Sequence, residues 1–347
     1  MTATEQPFDA DTPPARPLTI TELAELAGVS TATVSKVVNG RSEVAPETRA
    51  LVEGLIRRHG YRRQRRRVSP AALVEVVFHA LGGDYTVEII KGVGQVAREH
   101  NLAVVISDAP DRETPGRGWI EGVLSRRPSG VIGVFYGLTD DQREQLVTRD
   151  IPIVLLDPSG DPGPGYPSVG AGNWSGGLSA TRHLLDLGHR RIAVITGPDS
   201  ALPSRARLDG YRTALDLAGV PADPELIGSG DFLVESGLAQ AHRLLRLPDP
   251  PTAIFACNDV QATGVYRAAH ELGLRIPHDL SVVGFDDLPS VEWMNPPLTT
   301  VRQPLCEMAA AATGMLVKLA QGEPLPQSRV ELGAELIIRG STAPPAG

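Results

Sequence analysis

The sequence has few cysteines, few aromatic residues and no long apolar run. Its 347 residues include only Cys257 and Cys306 as cysteines, which are too few for a disulfide framework or a zinc set. Aromatic residues make up 4% of the chain, so any that lie near a cleft are informative. No stretch of about 18 uninterrupted apolar residues occurs, which argues against a membrane-spanning helix. We therefore expect no metal, no cofactor and no membrane association.

Export and catalytic motifs are also missing. The first 17 residues carry Glu5, Asp9 and Asp11 and no apolar segment, so we expect no secretory signal and a cytoplasmic protein. We find no Gly-x-Ser-x-Gly elbow, no Gly-x4-Gly-Lys-Ser/Thr phosphate loop and no His-Glu-x-x-His motif. The sequence therefore favours a binding protein over an enzyme.

Charge is divided unequally along the chain. Leu18 to Pro70 contain 10 Lys and Arg against 5 Asp and Glu, whereas Ala71 to Gly347 contain 22 against 33. The chain has a net charge of −8, but residues 18–70 form a small basic head and residues 71–347 form an acidic body. Because positive charge attracts phosphate, the head is the part that we expect to bind nucleic acid.

The head has the spacing of three short helices. Thr19 and Glu22 have the form of a capping box, which predicts a helix start, and Gly28 predicts its end. Ser30 can cap a second helix, and Pro46 suits the first turn of a third. We expect a disordered tail over 1–17, the helical domain over 18–61 and a basic hinge over 62–70.

In the body, apolar runs alternate with amphipathic segments, as is typical of parallel sheets covered by helices. The run Leu73–Phe78 is the first of these expected strands, and Leu280–Phe285 is the last. About 270 residues exceed one doubly wound unit, so we expect two lobes over 71–340. Residues 341–347 are expected to form a disordered tail.

Motifs in both parts resemble the LacI/GalR family of bacterial transcription regulators. Leu18 to Gly40 resembles the family's helix-turn-helix almost position for position. Five ordered segments of the body resemble family landmarks: Asp186–Ile192, Ser204–Tyr211, Pro251–Asp259, Ser281–Asp287 and Pro297–Gln303. The resemblance implies an α/β fold: a small all-α helix-turn-helix domain plus two Rossmann-like lobes of parallel sheet, periplasmic-binding-protein-like, that bind a small effector and dimerise.

We expect the second head helix to contact the DNA bases, because a helix-turn-helix places this helix in the major groove. Its outward residues Thr31, Ala32, Ser35 and Lys36 are the expected groove contacts, and Lys36 can donate to guanine. The other expected DNA contacts are Thr21, Ser30, Thr33, Asn39, Tyr61, Arg65, Arg66 and Arg67. A solvated helix face and simple helix capping are the alternatives.

The hinge departs from the family pattern. Related repressors carry a short helix whose leucine enters the minor groove, but Arg62 to Pro70 contains no leucine. Arg65, Arg66 and Arg67 could instead enter a narrow, electronegative minor groove. A flexible basic tether that adds only nonspecific affinity is the alternative.

Polar residues follow several apolar runs, which is where ligands of parallel α/β lobes bind. Carboxylates and amides there suit the vicinal hydroxyls of a sugar. Arg207 matches the family's effector-binding arginine, and Phe232 matches a position that covers the sugar. The expected effector contacts are Phe78, His79, Asp84, Tyr85, Asp157, Arg207, Phe232, Asn258, Asp286 and Gln303. A salt bridge is the alternative for Arg207, and a turn or helix cap is the alternative for Asp286.

These observations together predict a regulator of transcription. A free-standing sugar-binding protein for uptake would need an export signal and would not need a basic head. We expect a nucleoid-associated repressor of sugar-utilisation genes that binds double-stranded operator DNA as a homodimer. The expected effector is xylose, a xylo-oligosaccharide or a cello-oligosaccharide, and both induction and corepression stay open.

Overall fold

A computed structural model describes residues 18–38, 40, 44–59, 71–79, 81–109, 116–134, 138–158 and 166–346. The predicted tail over 1–17 and the predicted hinge over 62–70 lie outside these residues. The α-helices are α1 (Ile20–Ala27), α2 (Thr31–Val38), α3 (Pro46–His59), α4 (Gly83–Glu99), α5 (Arg117–Arg126), α6 (Asp140–Val147), α7 (Asn173–Asp186), α8 (Leu202–Leu217), α9 (Val234–Leu245), α10 (Asp259–Glu271) and α11 (Leu305–Gln321). Short 3₁₀ helices span Pro224–Leu226 and Pro289–Trp293.

The strands are short and mostly apolar. They are β1 (Ala71–Phe78), β2 (Ala103–Asp108), β3 (Pro128–Val134), β4 (Ile153–Leu156), β5 (Ser168–Ala171), β6 (Ile192–Thr196), β7 (Ile227–Ser229), β8 (Ala253–Ala256), β9 (Ser281–Asp286), β10 (Thr299–Arg302), β11 (Arg329–Leu332) and β12 (Glu335–Ile337). Central strands such as β4 and β8 are buried along their whole length because helices cover both faces of each sheet.

The head helices begin where the local sequence signals predict. The Thr19 amide donates to Oε2 of Glu22 at 2.6 Å, and the Glu22 amide donates to Oγ1 of Thr19 at 3.3 Å, so the capping box is present. Gly28 ends α1 in the left-handed region, with φ 63°. Leu23 and Val34 pack in the small core that the three helices share. The predicted three-helix head is confirmed.

In the part of the chain that the structure describes, each lobe is built on one six-stranded sheet. Lobe 1 has the strand order β11-β5-β4-β3-β1-β2, and lobe 2 has the order β12-β10-β9-β8-β6-β7. All described pairs of lobe 1 are parallel, and in lobe 2 only β12 runs antiparallel to its neighbour β10. The predicted α/β fold with two lobes of largely parallel sheet is confirmed.

The chain passes between the lobes three times. It leaves β5 of lobe 1 through Gly172 and enters α7, which packs on α8 of lobe 2. It returns from β10 through Gln303 to α11, which packs on lobe 1, and it passes back from β11 to β12 through Gly333. These crossings bring residues that follow β5 and β10 to the boundary between the lobes.

Residues 341–346 pack on lobe 2, so the expected disordered tail is wrong for this segment. Ser341 is buried, and its hydroxyl donates to the Val282 carbonyl oxygen at 2.6 Å. The Thr299 amide donates to the same hydroxyl at 2.8 Å. The proline-rich composition of the segment resembles disorder, but backbone groups of two strands need partners, and the tail supplies them.

Candidate functional site

The outward face of α2 is the candidate DNA-reading surface. Val34 and Val37 on the opposite face are buried in the head core. Thr31, Ala32 and Lys36 are exposed. This separation follows from the helical period, which places residues three and four apart on one side. The helix therefore presents short side chains and one cation, which suits contact with base edges in a major groove.

The predicted phosphate donors of the head also serve as local caps. The Thr33 amide donates to Oγ of Ser30 at 3.1 Å, at the start of α2. The two hydroxyls of Ser30 and Thr33 lie 2.9 Å apart. Thr21 is exposed in the first turn of α1. Because helix N-termini attract anions, capping here is compatible with a phosphate nearby.

Five predicted DNA contacts lie outside the described residues: Asn39, Tyr61, Arg65, Arg66 and Arg67. Their roles stay predictions.

Arg207 of α8 is the centre of a buried polar cluster. Its Nε donates to Oδ1 of Asn173 at 2.8 Å, and its Nη1 donates to the Cys257 carbonyl oxygen at 2.5 Å. Its guanidinium carbon lies 3.7 Å from the centre of the Phe285 ring. Its Nη1 is also 3.7 Å from Oδ1 of Asp286. These contacts hold the cation in one orientation, and only 3% of its side chain is exposed.

Asp286 lies at the end of β9, beside this cation. Its Oδ1 accepts a hydrogen bond from Nε2 of Gln303 at 2.6 Å. Burial raises the pKa of Asp286 to about 7; Arg207 opposes this shift and Asp157 adds to it. Its φ of 119° is unfavourable for a residue with a side chain, so the surrounding contacts hold it in place.

Lobe 1 contributes Asp157 and Tyr85 to the same cluster. Asp157 follows β4, and Tyr85 lies in the first turn of α4. Burial raises the pKa of Asp157, while Arg207 and the Asn173 amide lower it. Burial also raises the pKa of Tyr85 well above its usual range, and the Asp157 and Asp286 carboxylates add to that shift. These ionisable groups therefore interact across the boundary between the lobes.

Two buried acceptor atoms of the cluster are not paired. Oδ2 of Asp157 and Oε1 of Gln303 have no hydrogen-bond partner among the described residues. Leaving a buried acceptor unpaired costs about 1 to 3 kcal/mol. A ligand that offers hydroxyl donors would satisfy both atoms. The cluster is thus suited to a polyhydroxyl molecule, with Arg207 able to donate to adjacent oxygens.

Asn258 and Phe232 lie close to Arg207 but also have structural contacts. The Gln261 amide donates to Oδ1 of Asn258 at 2.9 Å and caps α10, and Nδ2 of Asn258 donates to the Phe232 carbonyl oxygen at 3.1 Å. The Phe232 ring centre is 5.9 Å from the Arg207 guanidinium. The ring packs on Gly197, where a Cβ would come within 2.1 Å of it. Glycine at 197 is therefore needed for this ring position.

The other expected effector contacts have different surroundings. Phe78 is buried in a hydrophobic core cluster, and His79 is half-buried after β1. Oδ2 of Asp84 accepts a hydrogen bond from the Ser290 amide at 3.0 Å, which links α4 of lobe 1 to a 3₁₀ helix of lobe 2. Effector contact by Phe78, His79 and Asp84 stays a prediction.

Sequence reasoning did not select three groups that surround Arg207. Asn173 follows β5, a strand of four residues that is too short and glycine-rich to give a clear apolar run. The Cys257 carbonyl could not be selected from the sequence, because every residue has a backbone carbonyl group. Phe285 is identifiable as a buried strand residue, but only the fold places its ring beside the guanidinium.

Within the described ranges, His, Cys, Asp and Glu side chains form no group of three that could hold a metal ion. Among the helices of these same residues, none is both long enough and apolar enough to cross a membrane.

Two family models match the chain. The model for "Bacterial regulatory proteins, lacI family" matches residues 19–64, which include the three head helices. The model for "Periplasmic binding protein-like domain" matches residues 181–342, which form most of lobe 2 and include α11 and β11 of lobe 1.

Named relatives match nearly the whole chain. The HTH-type transcriptional repressor CytR of Escherichia coli (strain K12) is 33% identical over 332 residues, which cover 93% of this chain and 96% of CytR. The ribose operon repressor of the same strain is 32% identical over 336 residues, which cover 93% of this chain and 99% of that repressor. Both relatives are named as repressors.

Solved structures give the same result. The complex of the transcriptional regulator CelR with cellobiose has a TM-score of 0.73 and 33% identity, covering 94% of this chain and 100% of CelR. The lac repressor dimer bound to operator and the anti-inducer ONPF has a TM-score of 0.68 and 30% identity, with coverage of 94% and 100%. The chain therefore belongs to the LacI family of bacterial regulatory proteins and is a DNA-binding regulator of transcription.

Proposed function

We propose that this regulator is a repressor whose operator affinity is set by a neutral sugar bound at the Arg207 cluster. The observation that carries the proposal is the buried group of Arg207, Asp157, Asp286 and Gln303, which comes from both lobes. It combines guanidinium donors with carboxylate and amide acceptors, which together match vicinal hydroxyls. Two carboxylates against one arginine disfavour an anionic ligand such as a sugar phosphate.

The sugar is proposed to be a short cello-oligosaccharide, with xylose and xylo-oligosaccharides as its competitors. The resemblance to CelR, whose structure contains cellobiose, supports this choice. Trp293 lies on the 3₁₀ helix that Asp84 of lobe 1 contacts through Ser290, and the residue is 89% exposed. An exposed indole of this kind could stack on the apolar face of a further sugar ring.

In this proposal the exposed face of α2 reads the operator, with Thr31, Ala32, Ser35 and Lys36 as groove contacts. Thr21, Ser30 and Thr33 position the head on phosphates. The functional form is a homodimer on a pseudo-palindromic site, since two-fold symmetry of a dimer requires two related half-sites. The protein acts in the cytoplasm, at the nucleoid, and performs no catalytic step.

Control of operator affinity follows from the position of the cluster. A ligand that contacts Asp157 and Tyr85 of lobe 1 together with Arg207 of lobe 2 favours one arrangement of the lobes over another. Allosteric coupling is typically about 1 to 3 kcal/mol, which corresponds to a change of about 5- to 150-fold in operator affinity. The hydrogen bond between Asp84 of lobe 1 and Ser290 of lobe 2 is one contact that a movement of the lobes would make or break.

Thermal shift of the full chain against a panel of sugars tests the proposal. The panel contains cellobiose, cellotriose, xylose, xylobiose, ribose and glucose 6-phosphate. A neutral sugar that binds only the folded state must raise the melting temperature, and the Arg207→Gln variant should lose that shift. Arg212→Gln, which alters a half-exposed arginine of the same helix, is the matched control.

Gel shift with a duplex selected from a randomised pool then gives the direction of control. A sugar that stabilises the protein should change the affinity for this duplex, as an inducer if it weakens binding and as a corepressor if it strengthens it. Stabilisation by glucose 6-phosphate alone, or by a neutral sugar equally in wild type and Arg207→Gln, would contradict the proposed site.

A further inference from the structure

The head contacts lobe 1 through helix α6 as well as through the chain connection. Nη1 of Arg57 in α3 lies 2.7 Å from Oε2 of Glu144 in α6. Both side chains are about half exposed, and an ion pair of this kind contributes only about 0 to 1 kcal/mol. This ion pair shows that the head and lobe 1 are in contact here, but it is too weak to hold them together by itself.

Arg149 makes the buried contact of this interface. It follows the end of α6, and its side chain lies between lobe 1 and the head, with the residue 9% exposed. Its Nη1 donates to the Gln145 carbonyl oxygen at 2.9 Å, and its Nη2 donates to the Val37 carbonyl oxygen at 3.4 Å. These carbonyls belong to the last turns of α6 and α2, where the helix dipole favours a cation. One guanidinium therefore joins the ends of two helices from different parts of the protein.

Gly40 and Glu53 of the head also lie near this guanidinium. Gly40 lies against the guanidinium, because a Cβ at this position would be 2.7 Å from Nη2 of Arg149. Its φ of 71° favours glycine. Burial raises the pKa of Glu53, while the charges of Arg49 and Arg149 lower it, so both arginines act on the Glu53 carboxylate. The end of α2 thus contacts Arg149 of lobe 1, and Glu53 of α3 lies within range of its charge.

A groove of about 410 Å³ separates the head from lobe 1 beside these contacts, and Arg49, Glu121 and Asp141 are among its lining residues. The contact also leaves Thr31, Ala32 and Lys36 exposed, so it is compatible with DNA binding through α2.

We propose that Arg149 is a positioning residue for DNA recognition, which fixes the end of the reading helix α2 to lobe 1. A change in the orientation of lobe 1 then reaches α2 directly, in addition to any route through residues 62–70. This role is separate from the sugar proposed for the cleft, because Arg149 acts on the head whether or not the cleft is occupied.

The affinity of Arg149→Gln for specific and for nonspecific DNA distinguishes a positioning role from a general electrostatic attraction to phosphate. The duplex is the site that wild type selects from a randomised pool, and the competitor is a scrambled duplex of equal length. We expect about tenfold weaker binding to the selected duplex, which is the size expected for losing hydrogen bonds from a charged group. Affinity for the scrambled duplex should stay unchanged, because that binding depends on phosphate charge and Arg149 is buried.

Two further variants keep the test decisive. Arg149→Lys keeps the charge but cannot donate two hydrogen bonds in the fixed geometry of a guanidinium, so its loss of affinity for the selected duplex should be intermediate. Because the charge is kept, this variant should fold even if Arg149→Gln does not. Arg267→Gln removes an exposed arginine of lobe 2 and should bind both duplexes like wild type. Hydrogen exchange of the α2 amides without DNA should rise in Arg149→Gln and stay constant in Arg267→Gln.

Equal weakening on both duplexes would overturn the proposal and would indicate a phosphate contact. Wild-type affinity for the selected duplex in both Arg149 variants would overturn it as well, as would unchanged exchange in α2.

Discussion

Nη1 of Arg207 lies 3.7 Å from Oδ1 of Asp286, and the two side chains are 3% and 5% exposed. Water screens charges poorly at a buried site, so the ionisation of Asp286 depends strongly on the nearby Arg207 cation. The Arg207 charge also lowers the pKa of Asp157, so one cation acts on two carboxylates. Burial raises the pKa of Asp286 to about 7, with Arg207 opposing this shift and the Asp157 charge adding to it.

Replacing Arg207 should impair sugar binding and should destabilise the protein in a pH-dependent way. Arg207→Gln removes hydrogen bonds from a charged donor, so we expect a loss of about 1.5 to 3 kcal/mol in cellobiose binding by calorimetry. The variant also leaves Asp157 and Asp286 without their cation. Its loss of melting temperature should therefore be larger at about pH 8, where the carboxylates are ionised, than at about pH 5. Arg212→Gln should behave like wild type, and an equal loss at both pH values would argue against charge coupling.

Asp286 should make the free protein less stable as the pH rises. Its pKa in the folded state is about 7, whereas an unfolded aspartate titrates near its usual value of about 3.9. The folded state therefore holds its proton more tightly, and this contribution to stability is present below about pH 4 and is lost as the pH rises to about 7. Melting curves of Asp286→Asn should show a flatter dependence on pH over that interval than those of wild type. Parallel curves for the two proteins would refute this assignment.

Sugar binding should have the opposite dependence on pH. Hydroxyl donors favour the ionised form of Asp286, so cellobiose affinity should fall as the pH drops below about 7. Calorimetry in two buffers of different ionisation enthalpy should also detect proton release on binding near neutral pH. Asp209→Asn, at an exposed position of α8, is the control and should preserve both effects.

The C-terminal segment should contribute to the stability of lobe 2. Ser341→Ala removes a hydroxyl that donates to the Val282 carbonyl and accepts from the Thr299 amide, so we expect a loss of about 1 to 3 kcal/mol in the free energy of unfolding. Urea unfolding measures this loss. Ser328→Ala, at an exposed position, should change stability by less than about 0.5 kcal/mol. Equal stability of the two variants would mean that the segment does not pack as described.

Lys36 should determine base preference, whereas Arg66 should add affinity without sequence preference. A side chain on the exposed face of α2 can distinguish bases by about 1 to 3 kcal/mol, so Lys36→Ala should select a different site from a randomised pool. Arg66→Ala should select the wild-type site but bind it less tightly and with a weaker dependence on salt. An identical site for Lys36→Ala would remove Lys36 from the specificity residues.

Local signals in the sequence determined the head and the strand positions of the body. The capping box of Thr19 and Glu22 and the left-handed Gly28 depend on residues within a few positions of each other, so the sequence alone locates α1. Asp157 and Asp286 were identifiable because polar residues after buried parallel strands reach one edge of a sheet. The family could likewise be assigned from motifs that lie in order along the chain.

Only the tertiary structure decided which of these residues meet. Asn173 and the Cys257 carbonyl hold Arg207 because the chain passes between the lobes three times, and no local pattern encodes those crossings. The packing of Ser341 depends on strand backbone groups that are distant in sequence, so composition misled the expectation of a disordered tail. Arg149 joins the head to lobe 1 through a backbone carbonyl, which any residue possesses. Contacts of this kind arise from the packing of whole elements and are therefore absent from sequence patterns.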